Sequence, residues 1–215
     1  MPTAKRLWVS LGLLGLGFTQ EGNPELWAKL NPFFGGELCF IDIRFLNTPL
    51  FSYPTNYWGI SLGSNYTYFR TENEVFAAGP GAQITGAFQF LGRYGTNWLL
   101  QIPLYAYARL GAGATAYNIQ RLGIGGGVGV RFTTFQLTYT SLSGNYVGKM
   151  RQTFFNPTAF AEVTFNFRRT SPTTIRFYLD LLPSRRNTEI MGSIDPVPLD
   201  FRTFGFSILY QISNL

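Results

Sequence analysis

The sequence predicts an all-β protein: a closed antiparallel eight-stranded transmembrane β-barrel with a short N-terminal extension. Three observations predict it. Eight segments alternate apolar and polar residues, the connections between them alternate in length, and charge is too sparse to cover a water-soluble surface. Of 215 residues only 13% are charged, against about 25% in soluble domains, while 17% are aromatic. No apolar run is long enough for a spanning helix, which needs about 18 residues, so a closed sheet is the remaining way across a bilayer.

The chain opens with Lys5 and Arg6, an apolar run from Leu7 to Phe18, then Thr19 and Gln20. That order of charge, apolar stretch and polar residues reads residues 1–20 as a secretory signal peptide. Asn23, Pro24 and Glu25 have the order of a helix cap, a first-turn proline and a first-turn acid, so Pro24 to Leu30 is expected to form a short helix. Residues 21–55 are expected to form an N-terminal extension and residues 56–215 the barrel. Glu37 to Leu46, ELCFIDIRFL, also alternates, but an even strand count leaves it no place in the wall. It is either a periplasmic cover, a plug or a partner surface, or else the strand count is wrong.

The strands are expected at Tyr57 to Phe69, Gln83 to Leu91, Trp98 to Arg109, Leu122 to Phe132, Phe135 to Leu142, Thr158 to Arg168, Thr174 to Leu181 and Thr203 to Ile212. The fourth, LGIGGGVGVRF, lacks the glycine spacings of a phosphate-binding loop. Read as a strand, Leu122, Ile124, Val128, Val130 and Phe132 face lipid, while Gly123, Gly125, Gly127, Gly129 and Arg131 face a lumen. The glycines then leave room for Tyr105, Tyr107 and Tyr178. In the fifth, Phe135, Leu137 and Tyr139 are expected outside and Gln136, Thr138 and Thr140 inside.

Thr133-Thr134 reads as a short turn and Ser143 to Pro157 as a long loop, in a series that places both termini in the periplasm. In that frame Trp58, Phe90, Trp98, Phe132, Phe135, Phe167 and Tyr210 fall at periplasmic strand ends, and Tyr68, Tyr139 and Phe204 at outer ends.

The pattern, with the C-terminal strand TFGFSILYQI (Thr203 to Ile212), resembles the small eight-stranded outer-membrane barrels: the OmpX-like and OmpA-transmembrane-like group and the short barrel proteins of Bacteroidota. The resemblance covers Asn56 to Leu215. It departs at the end, Ile212-Ser213-Asn214-Leu215, where such chains often carry a final aromatic residue. It implies insertion into the outer membrane of a Gram-negative bacterium, and it implies no particular activity.

The chemistry available is narrow. With no histidine, the usual zinc sites and histidine-based triads are absent, and one cysteine, Cys39, allows no internal disulfide. The net charge of +6 comes from scattered cations without a basic stripe, so nucleic acid is not expected.

A turn centred on Ser171 sets Glu162 opposite Asp180 on the inner face. Two carboxylates so placed need cations, and Arg109, Arg121, Arg131 and Arg176 are the candidates for a lumen ion network. A paired-carboxylate hydrolase needs a substrate cleft that a filled barrel lacks. No catalytic residue, metal or cofactor is therefore expected. Lys149, Arg151, Phe154, Phe155, Arg185 and Arg186 are expected in loops that contact a partner protein or outer-membrane lipid, lipopolysaccharide included. The function expected is a non-enzymatic structural or accessory subunit acting through its outer loops and N-terminal segment. The alternative is a narrow channel for small or apolar solutes.

Overall fold

The computed structural model describes residues 29–46, 52–90, 96–115, 118–140, 147–166, 172–188 and 196–212. The leader expected at residues 1–20 lies outside them. Among the described residues ten strands form: β1 (Leu30–Phe45), β2 (Ser52–Tyr66), β3 (Phe69–Arg70), β4 (Phe76–Phe90), β5 (Thr96–Gly111), β6 (Leu122–Thr140), β7 (Val147–Phe165), β8 (Thr173–Asp180), β9 (Ser184–Thr188) and β10 (Val197–Gln211). Antiparallel pairing runs β1-β2-β4-β5-β6-β7-β8-β10, and β10 pairs back onto β1, with Phe40 between Asn56 on one side and Phe204 on the other. The sheet is therefore a closed ring of eight staves, with β3 an addition to β4 and β9 an addition to β10. Lys29 and Ile212 lie at the same end, called here the near end.

Three expectations are corrected. Leu30–Phe45 is the first stave and not an extension, so the wall begins at residue 30 instead of 56. No turn interrupts Thr133-Thr134, because β6 runs through it for 19 residues. Val147 onward, expected as loop, is the first half of β7. Missing one strand and splitting another leaves the count at eight but inverts β2, β4, β5 and the first half of β6. Trp58, Trp98 and Phe132 therefore lie at the far limit of the near part, level with Phe204, while Tyr68 and Tyr210 lie at the near end. Phe167 is outside the described residues.

All three corrections have one physical cause. In the near part of the ring the apolar residues point outward: Phe34 on β1, Leu122, Ile124, Val128 and Val130 on β6, Val163 and Phe155 on β7, and Phe204, Ile208 and Tyr210 on β10 are all exposed. In the far part the phase reverses. Cys39, Ile41, Ile43, Phe135, Leu137, Met150, Phe154, Leu199 and Phe201 are buried inside the ring, while Arg44, Lys149 and Arg151 are exposed outside it. A switch of apolar parity along a straight strand looks, in sequence, like a strand end. Phe135 and Leu137 accordingly face inward, opposite to expectation.

The reversal falls at a ring of aromatic side chains. Phe40 stacks on Phe204 with centroids 5.0 Å apart, Phe132 meets Phe155 at 4.9 Å, and Trp58 and Phe88 are exposed beside them. A second aromatic set marks the near end, where Phe34 meets Tyr210 at 5.7 Å and Phe69 meets Phe76 at 6.0 Å.

The inward glycines of β6 have steric reasons. A Cβ on Gly127 would lie 2.6 Å from the Phe160 ring, and one on Gly129 would lie 2.6 Å from Tyr105 Cα and against the Leu104 carbonyl. The stripe is thus the space that Phe160 and the Tyr105 strand occupy.

Candidate functional site

The lumen is a layered polar core below an apolar one. At its centre Glu162 on β7 lies between two guanidinium groups. Arg109 Nη2 is 2.6 Å from Oε1, and Arg176 Nη2 is 2.9 Å from Oε2. Arg109 Nε and Arg176 Nε donate to the same two oxygens, at 2.7 and 3.0 Å. All three side chains are buried. Arg109 also donates to the Gly113 carbonyl (2.8 Å), which the turn after β5 brings in through positive φ at Gly111 and Gly113. Arg176 donates to Gln83 (3.0 Å) and to Tyr105 Oη (3.2 Å), and its plane lies 4.2 Å from the Phe160 ring centroid.

The network continues to Glu37 on β1. Its carboxyl group accepts from Gln83 Nε2 at 2.7 Å, from Thr85 Oγ1 at 2.9 Å and from the Ser61 hydroxyl, and Cys39 Sγ donates at 3.2 Å. A separate cluster surrounds Asp180 on β8. Thr203 gives it both its backbone N–H (2.7 Å) and its hydroxyl (2.6 Å), Asn156 donates at 2.8 Å, and Arg131 stands at 3.5 Å while lying 3.8 Å from the Tyr178 ring centroid.

Three buried arginines thus share the lumen with three buried carboxyl groups: Arg109 and Arg176 pair with Glu162, Arg131 pairs with Asp180, and Glu37 accepts from uncharged donors. Buried charges require such partners.

Five of the six expected lumen residues, Glu162, Asp180, Arg109, Arg131 and Arg176, lie in the lumen; Arg121 is exposed at the near end and joins no lumen pair. The register separates the two carboxylates expected to face each other. Glu162 stands across from Arg176, and Asp180 across from Thr158. Glu37 is not among the expected lumen residues, because an even strand count starting at Asn56 leaves its segment outside the wall. Its signal was its inward parity with Cys39 and Ile41.

Of the expected contact residues, Phe154 is wholly buried inside the ring, with Phe201 at 5.6 Å and Phe135 at 6.1 Å. Lys149, Arg151 and Phe155 point outward from β7, and Arg151 lies 5.2 Å from the Trp98 ring centroid. Arg185 pairs with Asp200 at 3.1 Å, and Arg186 is exposed at the rim.

A cavity of about 10 Å³ near the near mouth, lined by Asn31, Phe33, Asn65, Arg109, Thr174, Leu209 and Gln211, has room for one water. Among the described residues no group of three or more His, Cys, Asp or Glu could hold a metal. The Ser61 hydroxyl, buried inside the ring, donates to the Glu37 carboxyl group. This arrangement can hold strands in register.

No protein-family model matches the chain, and no curated protein matches it by sequence. Among solved structures it is similar to Ail, the attachment invasion locus protein of Yersinia pestis, in complex with the heparin analogue sucrose octasulfate, at 10% identity and a TM-score of 0.47, covering 86% of this chain and 99% of that one. Neisserial surface protein A matches at 9% identity and a TM-score of 0.48, covering 85% and 97%. The N-terminal β-barrel domain of Pseudomonas aeruginosa OprF matches at 12% and 0.40, covering 83% and 97%.

Proposed function

We propose that this chain is a non-enzymatic outer-membrane β-barrel of a Gram-negative bacterium, a structural or accessory subunit with a sealed lumen that meets its partners at its far rim. One observation carries the reading: the ring is apolar outside and polar inside along its near part, then polar outside and apolar inside along its far part. Only the first part suits lipid around it, and only the second suits water around it. The outward apolar run on β6, Leu122 to Phe132, is 11 residues long, against the roughly 9–11 that a tilted strand needs to cross a bilayer. Aromatic rings at both limits match interfacial girdles.

The far rim is where contacts are offered. Lys149, Arg151 and Arg185 lie just beyond the aromatic ring, at the height of lipid headgroups, where guanidinium groups pair well with phosphate. Outer-membrane lipid, lipopolysaccharide included, is the ligand class this placement supports. Because Leu30–Phe45 belongs to the wall, the partner surface is the rim and not an N-terminal cover.

The test is extraction from the native outer-membrane fraction in mild detergent, followed by native mass spectrometry. Stoichiometric companion proteins are expected. A lone chain carrying neither protein nor lipid would overturn the accessory role.

A further inference from the structure

The ladder of the ring breaks off on one side in the far part. β7 and β8 pair from Phe165↔Thr173 up to Thr158↔Asp180, and the last backbone bond across this junction is Leu181 N–H to the Pro157 carbonyl, at 2.8 Å. Beyond it, among the described residues, β7 from Val147 to Asn156 pairs with β6 alone, and β9 pairs with β10 alone. Prolines set the break. Pro157 has no N–H to return to Leu181, and Pro183 stands in the Leu181–Pro183 step between β8 and β9.

Along an antiparallel strand, successive residues turn their N–H and C=O to opposite sides. Pro157 turns toward β8, so Phe155, Thr153, Arg151 and Lys149 turn toward β9. Among the described residues one hydrogen bond joins β7 to β9, and it runs between side chains, Gln152 Nε2 to Thr188 Oγ1 at 3.2 Å. This edge lies beyond the aromatic ring, in the part of the wall that suits water. An unpaired edge of that kind is a template for a further strand.

The side chains around the edge define what that strand must carry. Inward, Met150 and Phe154 on β7 and Leu199 and Phe201 on β10 belong to the apolar far core. Outward, Lys149 and Arg151 stand on β7 and Arg185 on β9, with Arg186 exposed beside them. Of these four cations only Arg185 meets a carboxylate among the described residues, Asp200 at 3.1 Å. A strand laid along β7 turns alternate residues in and out, so one set meets the apolar core and the other meets Lys149 and Arg151. A second copy of the chain carries the wrong charge. Two β7 edges set against each other would oppose Lys149 and Arg151 to the same cations.

We infer that the far edge of β7 is a docking site for an extended acidic segment of a partner protein, its acidic residues alternating with apolar ones, which joins the sheet as a strand. Gln152 and Thr188 separate to admit it. The site rests on the partner role of the far rim proposed above.

The test uses the purified chain in detergent and a fluorescein-labelled peptide of about eight residues in which Glu and Val alternate, long enough to run from Lys149 to Phe155. Fluorescence anisotropy is expected to show saturable binding. The same peptide with every amide N-methylated cannot donate to the edge and should not bind, and neither should a peptide with Lys in place of Glu. Lys149→Glu with Arg151→Glu should weaken the acidic peptide by about ten-fold or more and admit the Lys peptide, because opposed charges become like charges. Gln152→Cys with Thr188→Cys, in a Cys39→Ser background, is joined by a short bis-methanethiosulfonate cross-linker. The joined form should not bind and reductant should restore binding, while each single variant binds as before and every form keeps the gel mobility of a folded barrel. Absence of binding, binding that survives N-methylation, or binding unchanged by joining the strands would overturn the docking site. A purified chain that sediments as a dimer and turns monomeric when joined would also overturn it, by making the occupant a second copy. Companion proteins in the native extract without peptide binding would remove this edge and leave the accessory role standing.

Discussion

Glu162 on β7 stands directly across the ladder from Arg176 on β8, and the same carboxylate holds Arg109 from the other side of the lumen, so one anion ties together strands distant in sequence. Its removal leaves two buried cations sharing no anion.

Glu162→Gln is therefore expected to lower stability by about 3–5 kcal/mol, the usual cost of breaking a buried pair. The measurement is urea unfolding in detergent, followed by the mobility difference between folded and boiled samples on a gel. A midpoint equal to that of the unaltered protein would show that the network is not structural.

The inner glycines make a steric prediction. Gly129→Ala puts a methyl group 2.6 Å from Tyr105 Cα and should destabilise by about 1–3 kcal/mol, whereas Gly86→Ala, whose Cβ meets nothing within 4 Å, should change stability by less than about 0.5 kcal/mol. Equal effects at both positions, read by the same unfolding assay, would mean that the glycine stripe is not set by packing.

The reversal of polarity along β6 and β7 separates two outward positions. Val128→Arg, outward near the middle of the apolar run Leu122 to Phe132, is expected to cost about 2–4 kcal/mol on refolding into lipid vesicles, the range for a cation near the bilayer midplane. Thr153→Arg, outward on β7 beyond Phe155, should cost less than about 0.5 kcal/mol. Similar costs at the two sites would remove the belt boundary drawn at the aromatic ring.

A sealed axis has an electrical consequence. With three ion-paired arginines and a phenylalanine cluster filling the ring, the purified protein should produce no conductance steps in a planar bilayer. Regular single-channel steps would restore the axial channel as the better reading.

Several elements were legible in the chain itself. The alternation of Leu122, Ile124, Val128 and Val130 against Gly123, Gly125, Gly127 and Gly129 places the correct face outward without reference to any other strand. Glu162, Asp180, Arg109, Arg131 and Arg176 were recognisable as inward residues from parity alone. What parity could not supply was who meets whom. A turn centred two residues away would have joined Glu162 to Asp180, and the observed register joins it to Arg176 instead.

The sequence by itself determined the class: period-two alternation, few charges, many aromatics and no spanning helix leave a closed antiparallel sheet as the way to bury these residues. The tertiary structure alone decided that Leu30–Phe45 is a stave, that β6 is unbroken, and that Glu37 joins the lumen network. The physical reason is that alternation is a local property of neighbouring residues. Register, strand direction and the height at which apolar faces change sides are set by ring closure, and closure depends on the whole chain at once.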